Sequence, residues 1–350
     1  MLNNIKIGNK IIGENQPCFI IAELSANHNQ SYEIAVETIK AAARAGADAI
    51  KLQTYTADTI TIKSDKEYFQ IKSGTIWDGT TLYELYQKAY TPWEWQPQLN
   101  MIADDLGLIC FSSPFDKSAV DFLEEMEVPA YKIASFEIKD IPLIRYVASK
   151  NKPILFSVGI AEIEDIEEVI KACYDMNNHE LILLKCTSSY PAMMEDANLS
   201  QIKYLRDRFD IITGLSDHTL GIVAPIVSIA FGAKIIEKHF ILDKSIGGPD
   251  AAFSLDPVEF KLMVDTVREA EKAIGQEAYF VSEISTKGKI YGRSLFVVKD
   301  ILKGESFTNE NVRSIRPAYG LLPKFIDEII GKKATRNLQQ GEPLGWDMIE

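Results

Sequence analysis

From Cys18 to about Ile274, short apolar runs alternate with longer amphipathic ones. The short runs are 18–24 (CFIIAEL), 49–55 (AIKLQTY), 108–115 (LICFSSPF), 130–136 (AYKIASF), 152–159 (KPILFSVG), 181–188 (LILLKCTS), 210–217 (DIITGLSD) and 234–241 (KIIEKHFI). Strands that are apolar throughout belong to a parallel sheet covered on both faces. The longer segments carry apolar residues at helical spacing. Tyr32 to Ala45 puts Ile34, Ala35, Thr38, Ile39 and Ala42 on one stripe, and Pro257 to Ile274 does so with Phe260, Met263, Val264 and Val267. Further helices are expected to open at Pro92, since proline suits the first helical position, and to run over 118–125, 163–174 and 199–209. Eight strand–helix units in about 260 residues predict an α/β fold, a closed (β/α)8 TIM barrel. An open doubly wound sheet is the alternative that periodicity leaves.

Two stretches depart from this rhythm. Residues 275–290 read as a linker, so the barrel is expected over 1–274. Residues 291–350 are short β-like pieces punctuated by Gly and Pro, and predict a small β-rich domain. Residues 56–91, rich in Tyr, Trp, Thr and Gly, form an insertion after the second strand. A long loop after a barrel strand lies on the catalytic face.

Charged residues inside apolar strands need partners or ligands, because an unpaired buried charge is costly. Here they recur near the carboxyl ends of six strands. Glu23 ends the first. Lys51 and Gln53 lie two apart, on one face, in the second. Lys132 lies in the fourth, with Ser135 and Glu137 beyond it, and Lys185 in the sixth, with Thr187 following. Ser216 and His218 close the seventh; Glu237 and His239 close the eighth. In a closed barrel all of these converge on one end. Two imidazoles on adjacent strands, with Glu23 or Glu237 nearby, predict an open first-row metal site. The lysines predict a pocket for a phosphorylated or carboxylated ligand, finished by Ser216 and backbone N–H groups. Of the four histidines, His179 reads as a solvated loop residue, and His28 as either loop structure or a substrate contact.

Net charge is −13 at pH 7, which excludes nucleic acid as a natural partner. No run of about 18 apolar residues occurs, so no membrane partner is expected, and a cytoplasmic enzyme is the reading. The four cysteines form no C-x-x-C pair and are expected to be reduced and buried. Neither G-x-x-x-x-G-K-[ST] nor a G-x-G-x-x-G after a strand is present, which argues against nucleotide cofactors.

The segments AELSANHN, GADAIKLQTY, FSSPFD, YKIASFE, GLSDHT, IIEKHF and GGPDAAFSLDP, in that order, resemble the N-acetylneuraminate (sialic acid) synthase family over nearly the whole chain. GRSLFVVKDILKGESFTNENVRSIRP resembles the antifreeze-like SAF domain that completes this family. AELSANHN and the insertion look most like the branch that makes pseudaminic acid, rather than the N-acetylneuraminate or legionaminic branches. The resemblance implies a transferase that condenses phosphoenolpyruvate with an acetamido-sugar aldehyde, 2,4-diacetamido-2,4,6-trideoxy-L-altrose, releasing phosphate by C–O cleavage. It implies a divalent metal on His218 and His239, with Mn²⁺ favoured over Mg²⁺ or Co²⁺, and Glu23 activating or orienting the attacking water. Lys51, Lys132, Ser135 and Ser216 would hold phosphoenolpyruvate, with Lys185 added from its strand position. Gln53, Tyr190 and Asp250 would contact the sugar, and Arg316 would reach it from the second subunit of a domain-swapped homodimer. The rival readings are a Schiff-base aldolase using Lys51, Lys132 or Lys185, and a non-catalytic sugar-binding protein.

Overall fold

The computed structural model describes residues 3–72, 74, 76–275 and 278–350. The chain separates into two compact units, Met1–Gly275 and Gln276–Glu350.

The first unit opens with an antiparallel hairpin, β1 (Ile5–Ile7) and β2 (Lys10–Ile12). Eight parallel strands follow: β3 (Phe19–Glu23), β4 (Ala49–Thr54), β5 (Ile109–Pro114), β6 (Tyr131–Ile133), β7 (Ile154–Ser157), β8 (Leu181–Cys186), β9 (Ile212–Asp217) and β10 (Ile235–His239). They pair in sequence order, and β10 returns to β3, closing the barrel. Every residue of these strands is buried except Gln53, which is partly exposed. Closure therefore settles the choice that periodicity left open.

The helices between the strands are α1 (Tyr32–Ala45), then α2 (Ala57–Ile60) and α3 (Leu82–Ala89) within the insertion, α4 (Gln96–Asp105), α5 (Lys117–Glu125), α6 (Ile141–Ala148), α7 (Ile163–Tyr174), α8 (Ser200–Phe209) and α9 (Val223–Ala230), and α10 (Pro257–Ile274) follows the last strand. Their ends follow local chemistry. Ser31 caps α1, accepting from Ile34 N–H, and Gly46 stops it in the left-handed region at φ 89°. Asp256 and Glu259 form a reciprocal capping box on α10, whose first residue is proline. Pro92 does not open the third expected helix. It precedes a 3-10 turn, Trp93–Trp95, and α4 begins at Gln96. Among its described residues the insertion carries helix: α3 opens on a Thr81–Glu84 capping box.

The second unit has its own core, built on Leu295, Val297, Phe307, Val312, Ile329 and Leu344. A short helix, α11 (Glu283–Gly288), lies inside the stretch expected to be a linker. The antiparallel pair β11 (Ser294–Val297) and β12 (Val312–Ile315), isolated bridges and one short helix, α12 (Ile326–Ile329), complete a small β-rich domain.

Candidate active site

Side chains alternate across each barrel strand, so one residue in two faces the lumen. At the carboxyl ends this turns Glu23, Lys51, Gln53, Lys132, Ser216, Glu237 and His239 inward, and with Ser135, Glu137, Tyr190, His218 and Asp250 from the segments that follow the strands they line one cavity of about 1010 Å³. That volume suits two small substrates together.

Two lysines and two carboxylates make its charged floor. Lys51 Nζ is ion-paired with Glu23, donates to Ser113 Oγ at 3.2 Å and lies 3.7 Å from Glu237 Oε1. Lys132 Nζ donates to Ser157 Oγ at 2.7 Å and lies 3.6 Å from the same Glu237 oxygen. Glu237 also accepts from Ser216 Oγ at 3.1 Å. Burial pushes the Glu237 carboxyl up, but Lys132 and Lys51 outweigh it and hold it below the usual range. Glu23 is pushed up to about 7 by burial; Lys51 opposes this and Glu237 adds to it. Glu137, at the rim, is pushed up to about 7 by burial, and its Oε2 has no hydrogen-bond partner. Gln53 Nε2 donates to Glu23 Oε1 at 3.2 Å.

The imidazoles of His218 and His239 stand 5.3 Å apart between ring centroids. His218 Nδ1 meets the Thr187 carbonyl at 3.0 Å, which fixes Nδ1 as the protonated nitrogen and leaves the Nε2 lone pair free to bind. His239 Nδ1 is buried without a hydrogen-bond partner, and burial holds this ring's pKa well below its ordinary value. Two imidazole nitrogen donors at an open cavity fit a divalent metal. The carboxylates expected near them, Glu23 and Glu237, share the cavity but are engaged with the lysines. Asp250 Oδ2 approaches His239 Nδ1 at 3.8 Å, and among the described residues no group of three His, Cys, Asp or Glu side chains is gathered to hold an ion. Water and substrate oxygens would complete the shell.

One expectation changes and two are sharpened. Lys185 does not face the cavity. The register pairs Cys186 with Ser216, both lining it, and pairs Lys185 with Leu215, which packs in an outer cluster with Ile202 and Ala224. The Lys185 ammonium instead donates to Cys186 O at 2.7 Å and to Thr187 Oγ1 at 3.3 Å. His28 is structural: it is buried, 3.1 Å from Thr91 Oγ1, and edge-on to Trp95, so it ties down the end of the insertion. Cys186, buried as expected, stands with Sγ 3.9 Å from His218 Nδ1. All four cysteines are free and buried. Arg316 lies exposed in the second unit, next to a cis Pro317.

The sequence reading also missed Ser157, Tyr55, Phe115 and the α3 residues that line the cavity. Ser157 was recoverable, since it follows the apolar run of β7 as the first polar residue. Tyr190 packs on His218 at 4.3 Å and on Trp77 at 5.4 Å, linking the metal pair to the insertion.

The NeuB family model matches residues 38–279, and the SAF domain model matches 292–350. The chain is 49% identical to the pseudaminic acid synthase of Campylobacter jejuni subsp. jejuni serotype O:23/36 (strain 81-176), over 97% of this chain and 98% of that protein. It is 47% identical to the pseudaminic acid synthase of Helicobacter pylori (strain ATCC 700392 / 26695), over 96% and 98%. It also resembles the crystal structure of N-acetylneuraminic acid (sialic acid) synthetase from Leptospira borgpetersenii serovar Hardjo-bovis in complex with citrate. There the TM-score is 0.74 and the identity 31%, over 82% of this chain and 95% of that one.

Proposed function

Because this chain belongs to the NeuB family and carries a SAF domain, we propose that it condenses phosphoenolpyruvate with 2,4-diacetamido-2,4,6-trideoxy-L-altrose and water, giving pseudaminic acid and phosphate. Relatives named for this product match at 47–49% identity over nearly their whole length. The observation that carries the reading is the meeting of the two-lysine floor and the two-imidazole pair on one cavity.

Lys51 and Lys132 hold the carboxylate and phosphate of the donor, with Ser135 and Ser216 as hydroxyl donors. Gln53, Tyr190 and Asp250 contact the acceptor. The family's synthases depend on a metal; His218 and His239 would hold it, Mn²⁺ being the reading here, and it would supply Lewis-acid polarisation of the acceptor's aldehyde. C3 of phosphoenolpyruvate then forms the new bond to that carbon, and positive charge develops at C2. The ionised carboxylate of Glu237, held between the lysines, stabilises that charge. Glu23 orients the water that adds at C2 and takes its proton. Loss of phosphate with its bridging oxygen closes the cycle. Arg316 completes the sugar site from a partner subunit in a domain-swapped homodimer, and the enzyme works in the cytoplasm. Among the described residues no helix is long and apolar enough to cross a membrane.

The test is to incubate the protein with phosphoenolpyruvate, Mn²⁺ and a panel of hexosamine aldehydes. Phosphate release and a product of pseudaminic acid mass with the altrose substrate support the reading. Turnover only with N-acetylmannosamine, or none with any aldehyde, overturns it.

A further inference from the structure

We propose that the insertion after β4 is the acceptor-selecting wall of the cavity, with α3 favouring an aldose that carries methyl groups where common hexosamines carry hydroxyls. The proposal rests on the function proposed above and names what reads the acceptor.

The observation is the direction in which α3 turns its apolar stripe. Leu82, Leu85, Tyr86 and Ala89 fall at i, i+3, i+4 and i+7, the spacing of one helical face. Such a face ordinarily seals against a core. Here all four residues line the cavity, and Leu82, Leu85 and Tyr86 remain only half-buried. Glu84, Gln87 and Lys88 are exposed. An apolar stripe facing an open cavity is complementary to an apolar ligand surface.

The wall is built, not draped. The Thr81–Glu84 capping box fixes the start of α3. Gln30 Nε2 donates to the Lys88 and Tyr90 carbonyls at 3.1 and 2.6 Å, which fixes its end. Tyr55 joins it to the barrel, its ring 5.7 Å from Tyr86 and 5.0 Å from Phe115.

Charge decides which substrate meets this wall. The cavity's lysines, Lys51 and Lys132, come from barrel strands, and the trianionic donor goes to them. The acceptor's aldehyde carbon must reach donor C3 at that floor. Its remaining carbons then extend past the strand ends, where the insertion stands. A hydroxymethyl group there loses water hydrogen bonds without replacement, whereas a methyl group loses none.

The experiment compares two 2,4-diacetamido hexoses that differ only at C6, methyl against hydroxymethyl. The readout is the ratio of their kcat/KM values within one preparation, so a lower folded fraction does not disturb it. Wild type should favour the methyl sugar by about 10- to 100-fold. Leu82→Asn and Leu85→Asn, close in volume but polar, should each cut that preference about tenfold, while Leu85→Met keeps it. The KM for phosphoenolpyruvate should stay within about twofold. A preference unchanged in both Asn variants, or no preference in wild type, overturns the proposal. Failure of wild type to release phosphate with either sugar instead overturns the underlying function, a distinguishable result.

Discussion

Lys238 and Asp217 form an ion pair at 2.5 Å on the outer side of the barrel, with the lysine fully buried. Each is the sequence neighbour of an imidazole, His239 and His218. Asp217 also accepts from Thr219 N–H at 3.0 Å and from Thr219 Oγ1 at 3.1 Å, and Lys238 donates to the Thr219 carbonyl. The pair therefore pins the ends of β9 and β10 and the turn between His218 and α9. It sets the spacing of the two rings inside.

Breaking that pair from one side leaves a buried charge alone. Lys238→Met should cost about 3–5 kcal/mol of unfolding free energy, and adding Asp217→Asn should recover part of it. Urea unfolding measures both. Because the pair orients the rings, Lys238→Met should also weaken metal activation about 10- to 100-fold, which titration of activity with Mn²⁺ reads directly.

The imidazole pair carries a sharper expectation. His218→Ala or His239→Ala should abolish phosphate release and remove high-affinity Mn²⁺ binding in calorimetry. EDTA should silence the wild type, and added Mn²⁺ should restore it. Activity that survives exhaustive chelation contradicts the metal site.

Lys132 and Lys185 should behave differently, although both are strand lysines. Lys132→Gln removes a donor from the cavity floor and should raise the KM for phosphoenolpyruvate more than about tenfold, the cost of one charge-assisted contact. Lys185→Gln should leave it within about twofold, because that ammonium is turned to Cys186 O and Thr187 Oγ1. Steady-state kinetics with varied phosphoenolpyruvate separates them.

Glu137 should make stability fall with pH. Burial raises its pKa from the ordinary 4.5 to about 7 in the folded chain, so the folded state prefers the neutral acid. The stability this contributes is fully present below pH 4.5 and is lost as pH rises through about 7. Glu137→Gln, which mimics the neutral acid, should flatten the decline in Tm between pH 5 and 8. An unchanged slope in thermal scans would show that Glu137 does not titrate there.

The barrel was legible because parallel strands buried on both faces read as continuous apolar runs, as in Leu181–Cys186 and Ile235–His239. Helices with strong stripes were legible to the residue, as for Tyr32–Ala45, Ile163–Tyr174 and Pro257–Ile274. The lumen-facing polar residues of β4 and β10 were legible from their spacing of two. Lys185 misled because a run buried on both faces hides its own phase: only the pairing with Leu215 shows which side it takes. The α3 stripe was hidden for another reason. Its apolar residues lie among Tyr, Thr and Gly, and they serve a cavity rather than a core, so the segment reads as loop. Glu137 was legible as a polar residue just past an apolar run, and Ser157, the first polar residue after Ile154–Phe156, could have been read the same way.

Crystals grown with Mn²⁺ and phosphoenolpyruvate test the central claim most directly, through the anomalous signal of manganese. The account predicts one manganese peak bonded to both the His218 and His239 rings, with the phosphate and carboxylate of the donor on Lys51 and Lys132 in the same cavity. Manganese bound away from those rings, or a donor seated away from those lysines, would contradict it.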